Sequence, residues 1–112
     1  MAHEIGGDAL LRVFTTERAR SDGKPLYEHV VLAARERGLK GATVLRGAMG
    51  YGHSAHIQTA NILDLSSDLP VIVEIIDSED ALRGLLAEIS TDFELAMVTL
   101  SPLEIVHRGA GA

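Results

Sequence analysis

Residues 45–58, LRGAMGYGHSAHIQ, bring together several groups that can do chemistry. Arg46 precedes three glycines, Gly47, Gly50 and Gly52, and two histidines follow at His53 and His56. Glycine tolerates positive φ and lets a ligand approach the backbone closely. Successive N–H groups in such turns form a nest for an anion. An arginine beside them adds a planar, two-pronged donor for phosphate or carboxylate. The stretch is neither a Walker A sequence nor a dinucleotide fingerprint. The same glycines therefore also suit a tight turn in a flexible loop that reaches a partner. His53 and His56 form an H-x-x-H pair, and neutral imidazoles are good ligands for zinc, copper or nickel. Two ligands do not make a tight site. A third would come from another subunit or from Asp64, Asp68 or His29, and the alternative is a pair of solvated loop histidines.

Four further residues carry chemistry. Lys24 stands just before Pro25, where it is either a point charge for phosphate in a subunit cleft or a solvated lysine. Glu74 sits in the middle of the most apolar stretch of the chain, LPVIVEII at 69–76. A buried carboxylate must be paired or lose its charge. Arg12 is the natural partner, and contact with a ligand is the other role open to Glu74. Asp64 and Asp68 flank Ser66 and Ser67 and read as turn and capping groups. No nucleophile or electrophile accompanies them. With no triad, no strong metal motif and no cofactor fingerprint, the chain reads as a binding protein with no catalytic residue, not as an enzyme.

Residues 9–15 (ALLRVFT) predict a first strand. A polar break, ERARSDGKP, leads to Pro25, which fits the first turn of a helix. Leu26, Val30, Ala33 and Ala34 keep one apolar face, with Val31 at its edge, and Gly38 is a C-terminal stop, so the first helix spans about 25–37. Residues 41–48 predict the second strand, 69–76 the third, and 95–100 the last, with a further strand at 103–106 beyond Pro102. Ser78 is a good N-cap for the second helix, with acidic Glu79 and Asp80 in its first turn and a stripe of Leu82, Leu85, Leu86 and Ile89. The order is βαββαβ, an α+β ferredoxin-like split βαβ fold: an antiparallel sheet with two helices on one face. Val71, Val73 and Ile75 face one way, and Ile72, Glu74 and Ile76 the other. A sheet apolar on both faces needs two covers, and the helices supply one. Further copies of the chain are the simplest second cover; ordinary strand composition is the alternative.

The chain has 112 residues, 46% of them hydrophobic, and a formal charge of −6. That length predicts a single domain, with a core at about 9–107, a flexible loop at about 49–62 and a frayed tail at 108–112. The acidic balance argues against duplex nucleic acid and anionic membranes, while a local pocket for a small anion remains open. No cysteine is present, which excludes a disulfide scaffold, a cysteine-based zinc site and a thiol nucleophile. No apolar run reaches the roughly 18 residues of a membrane span, and the chain reads as cytoplasmic.

The stretches GKPLYE, RGAMGYGH and ILDLSSDLPVIVEIID, in that order, resemble a PII-like family designated domain of unknown function 190. The likeness extends from about Leu10 to Val106. It implies a ferredoxin-like homotrimer with sheets facing inward and a long loop between the second and third strands. From the related nitrogen-regulatory PII proteins it implies an adenine nucleotide in the clefts between subunits and a loop that acts on a partner protein. Members are often encoded near fluoride exporters, which suggests a membrane transporter as that partner. On this reading Arg46, Gly47, Gly50, Gly52, Lys24 and Glu74 contact the ligand. A divalent-metal-responsive trimer like the CutA proteins, using His53 and His56, is the alternative.

Overall fold

The computed structural model describes residues 7–61, 66–89 and 96–111. Among these residues, eight strands and two helices follow one another as β1 (Asp8–Thr16), β2 (Arg20–Ser21), β3 (Lys24–Pro25), α1 (Leu26–Glu36), β4 (Ala42–Arg46), β5 (Met49–Gly50), β6 (Gln58–Thr59), β7 (Pro70–Ser78), α2 (Glu79–Ile89) and β8 (Met97–Pro102). Four strands form the main sheet in the order β4-β7-β1-β8, every pair antiparallel. This is the expected ferredoxin-like arrangement, with the two longest strands, β1 and β7, at its centre.

Strand alternation separates the two faces of the sheet. Ala9, Leu11, Val13, Val73 and Ile75 are fully buried against the helices. From α1 they meet Leu26, Val30, Ala33 and Ala34, and from α2 Leu82, Leu85 and Ile89. Both helices end as their sequences foretell. Gly38 adopts φ +72° just past the C-cap of α1, a conformation that costs a residue with a Cβ. The N–H of Ala81 donates to Ser78 Oγ at 3.2 Å, so Ser78 caps α2. Pro25 stands one residue earlier than expected, at the N-cap of α1. Between β2 and β3, Asp22 and Gly23 both take positive φ, 51° and 78°, as a tight two-residue hairpin turn requires. That Asp-Gly turn lies within the stretch read from sequence as a polar break.

The structure corrects two expectations. Residues 103–106 form no strand, because β8 pairs with β1 through Ala9 opposite Pro102 and β1 begins only one residue earlier. The loop after β4 carries secondary structure of its own: β5 and β6 pair through Met49 opposite Thr59 and Gly50 opposite Gln58. Leu95, Asp64 and the rest of 62–65 and 90–95 lie outside the described residues. Among the described residues no helix is long and apolar enough to cross a membrane.

Among the described residues no helix covers the second face of the sheet. Register places Leu10 beside Ile76, and Phe14 between Ile72 and Met97, with Leu45 beyond Ile72. Ile76 is 40% exposed and Met97 60%. In the middle of this apolar field Arg12 lies opposite Glu74, and Arg12 Nε donates to Glu74 Oε2 at 2.8 Å. The pairing read from sequence is present, and the pair is half-buried on the open face.

Candidate functional site

The hairpin formed by β5 and β6 leaves the sheet at the end of β4 and returns ahead of β7. Gly47 and Pro70 fix the point of departure. The Gly47 N–H donates to the Pro70 carbonyl at 2.8 Å, and a Cβ on Gly47 would stand 2.7 Å from Pro70 Cγ. Gly50 packs on the same ring, at 3.1 Å by the same construction, whereas nothing crowds Gly52. The first glycine therefore serves chain packing, the second packs while lining a groove, and the third leaves open backbone at the groove's rim.

That groove has a volume of about 1100 Å³ and lies between the hairpin and one end of the sheet. Its floor is apolar: Phe14 from β1, Ile72 from β7 and Met97 from β8. The hairpin wall presents Tyr51, His53, Ser54, His56 and Gln58. The third side holds Arg18 and Asp68. Such a site offers a flat apolar seat, several hydrogen-bonding groups, one guanidinium and two imidazoles. That combination suits a planar ring joined to an anion, since pockets of roughly 300–1000 Å³ typically fix small ligands with a few placed polar groups on an apolar lining.

A network of hydrogen bonds holds the groove's walls in place. The Arg18 N–H donates to Asp68 Oδ1 at 2.9 Å, and Arg18 Nη1 donates to the Ser66 carbonyl at 3.1 Å. Asp68 N–H in turn donates to Gln58 Oε1 at 2.6 Å, and the Thr59 N–H donates to Ser67 Oγ at 3.1 Å. Asp68 thus acts as more than a turn residue: it bridges the end of β1 to the hairpin.

The residues singled out from sequence do not all gather here. Gly50, Gly52, His53 and His56 line the groove. Arg46 does not; its Nε lies 2.8 Å from Glu17 Oε2 in an ion pair. Glu74 is engaged with Arg12 on the open face. Lys24 lines a different cleft of about 630 Å³, between the β2–β3 turn, α1 and the end of α2, together with His29. Within one chain, Lys24 and the hairpin belong to separate surfaces. Among the described residues no three His, Asp or Glu side chains gather where a metal ion could be held, so His53 and His56 stand as a pair. Sequence reading missed Arg18, Gln58 and Tyr51. The first lay in a stretch read as a break, and nothing in the spacing of 18, 58 and 68 announces that they meet.

Comparison with known proteins places the chain and its fold. The family model DUF190, described as "Uncharacterized ACR", matches residues 8–105. A UPF0166 protein of Aquifex aeolicus is 42% identical over 98 residues, covering 88% of this chain and 92% of the relative. CPII, a nitrogen regulatory PII-like protein from Thiomonas intermedia solved with ADP, AMP and bicarbonate, superposes with a TM-score of 0.60 at 17% identity, over 83% of this chain and 82% of its own. CutA1 from Ehrlichia chaffeensis, a divalent ion tolerance protein, superposes with a TM-score of 0.58 at 8% identity, over 96% and 90% of the two chains. These two likenesses are of fold alone. Matched along nearly its whole length and folded as the PII-like proteins are, the chain belongs to the DUF190 (UPF0166) family.

Proposed function

We propose that this protein is a PII-like regulatory protein. It binds a small anionic effector of the adenine nucleotide class and uses the 49–62 loop to act on a partner protein, with a membrane transporter as the partner class. The observation that carries the reading is the groove itself, an apolar seat with Arg18 and two imidazoles at its rim, walled by the hairpin that would transmit occupancy. The solved PII-like neighbour of the same fold was bound to ADP and AMP, which supports the nucleotide class. The uncovered sheet face supports assembly of sister chains, in a trimer, as the state in which a neighbour completes the site. Such a protein performs no chemistry on its ligand, so binding and release alone carry the signal.

Isothermal titration with ATP, ADP, AMP and cyclic nucleotides tests the proposal. Saturable heat is expected with at least one of them. A flat titration with all of them, at protein well above micromolar, removes the nucleotide class.

A further inference from the structure

Strand register draws four polar residues into one line across the open face of the sheet. Thr43 on β4 stands opposite Glu74 on β7, Glu74 opposite Arg12 on β1, and Arg12 opposite Thr99 on β8. Both threonines are exposed. The row on one side is wholly apolar: Leu45, Ile72, Phe14 and Met97. On the other side Leu10 stands between Ile76 and Ser101. The hydrogen bond between Arg12 and Glu74 uses Nε and Oε2, and the two side chains remain 43% and 28% exposed. A guanidinium carries N–H donors beyond Nε and a carboxylate has a second oxygen, so each retains capacity for a further partner.

We propose that this row is the surface by which copies of the chain select one another, head to tail, each Arg12 bridging its own Glu74 and the partner subunit's Glu74. The inference rests on the assembly of sister chains proposed above and adds what makes that assembly selective. Burial of apolar surface is non-directional, so the flanking rows hold copies together without fixing which strand meets which. A charged row is directional, because any placement that leaves an ion buried without its counter-ion is strongly penalised. The order of the row points to a second copy as the occupant. Read from the β4 edge it runs hydroxyl, anion, cation, hydroxyl. Set end to end, the same order brings hydroxyl to hydroxyl at the seam and cation towards anion behind it. Head-to-tail contacts of this kind close into rings. In such a ring the edge strand β8 of one copy adjoins the edge strand β4 of the next, and the charges alternate in a closed belt. A ligand or surface without that pattern leaves the pair unmatched.

Native mass spectrometry of exchanged subunits tests the row. Wild type labelled with heavy nitrogen is unfolded in urea, mixed with unlabelled chain carrying Arg12→Glu and Glu74→Arg, and refolded, so that the label separates pure from mixed particles. The double variant inverts the pair and keeps it whole, and is expected to assemble with itself as wild type does. Mixed particles are expected at less than about a tenth of their share in a control of labelled and unlabelled wild type, because every mixed seam sets like charges together. Mixing at the control level overturns the proposal. Substitution at the exposed Thr43 and Thr99 spares the fold and keeps the test decisive if the inverted pair does not fold. Thr43→Lys with Thr99→Lys is expected to dissociate at a concentration about fivefold higher than Thr43→Glu with Thr99→Lys. Equal concentrations overturn the head-to-tail order. A wild-type control found only as single chains removes the assembly and this inference with it. Nucleotide heat in calorimetry beside free mixing removes the row and leaves the binding function standing.

Discussion

At the residue scale, the glycines of RGAMGYGH divide their labour in a way that substitution can expose. Gly47→Ala puts a methyl group 2.7 Å from the Pro70 ring, and overpacking of this kind costs about 1–3 kcal/mol. Gly52→Ala meets nothing and is expected to stay within about 0.5 kcal/mol of wild type. Urea denaturation of the two variants side by side measures the difference, and equal midpoints would contradict the packing role of Gly47. The chemistry legible in the sequence was of the local kind. Glycine content marked the turn, the two histidines marked a polar wall, and a carboxylate stranded in an apolar strand demanded a cation, which Arg12 supplies. The groove as a whole was not legible. Arg18, Gln58 and Asp68 come from three segments, and only the antiparallel register of β1 and β7 brings Thr16 opposite Pro70 and so closes the site. Arg46 reads in sequence as part of the glycine loop, yet its neighbour in space is Glu17, which side-chain spacing along the chain does not reveal.

At the scale of elements, helix ends were the most readable features because capping is a contest settled within four residues. Ser78→Ala removes the acceptor for the Ala81 N–H and is expected to lower stability by about 1 kcal/mol. Gly38→Ala forces a Cβ into φ +72° and is expected to cost about 1 kcal/mol. Thermal melts of both variants check these values, and a Gly38→Asn variant should recover part of the loss, since asparagine tolerates the left-handed region. Strand limits were less readable. Leu103, Ile105 and Val106 have strand-like composition, but composition does not supply a neighbour. Among the described residues β1 starts at Asp8, and past Pro102 the Leu103 N–H makes the last contact with it, at the Asp8 carbonyl. The β5–β6 pairing escaped notice for the opposite reason: two residues on each side are too few to show alternation, and the contacts that tie it down come from Ser67 and Asp68, on another segment.

At the scale of the molecule, the open sheet face is where the proposed assembly of sister chains can be tested. Leu10, Phe14, Leu45, Ile72, Ile76 and Met97 surround one ion pair, and in the proposed assembly sister chains would remove that pair from water as well. Breaking a buried pair on one side costs about 3–5 kcal/mol, whereas exchanging both partners for apolar residues is often neutral. Glu74→Leu alone is therefore expected to dissociate the assembly into protomers, and Arg12→Met with Glu74→Leu to restore it, as native mass spectrometry would register. Ile76→Lys should also release protomers with an unchanged circular dichroism spectrum. A wild-type particle with the mass of one chain would dismiss the whole arrangement. The Leu103 N–H reaches the Asp8 carbonyl at 3.3 Å, so the start of β1 and the end of β8 meet at one end of the sheet. Asp8 lies six residues along β1 from the groove floor at Phe14, about 20 Å away. A fluorescent reporter attached at Glu104, exposed and one residue past that contact, would thus stand well clear of the hairpin, and a sensor chip loaded through the same position would hold every molecule with its groove turned outward to the flowing analyte.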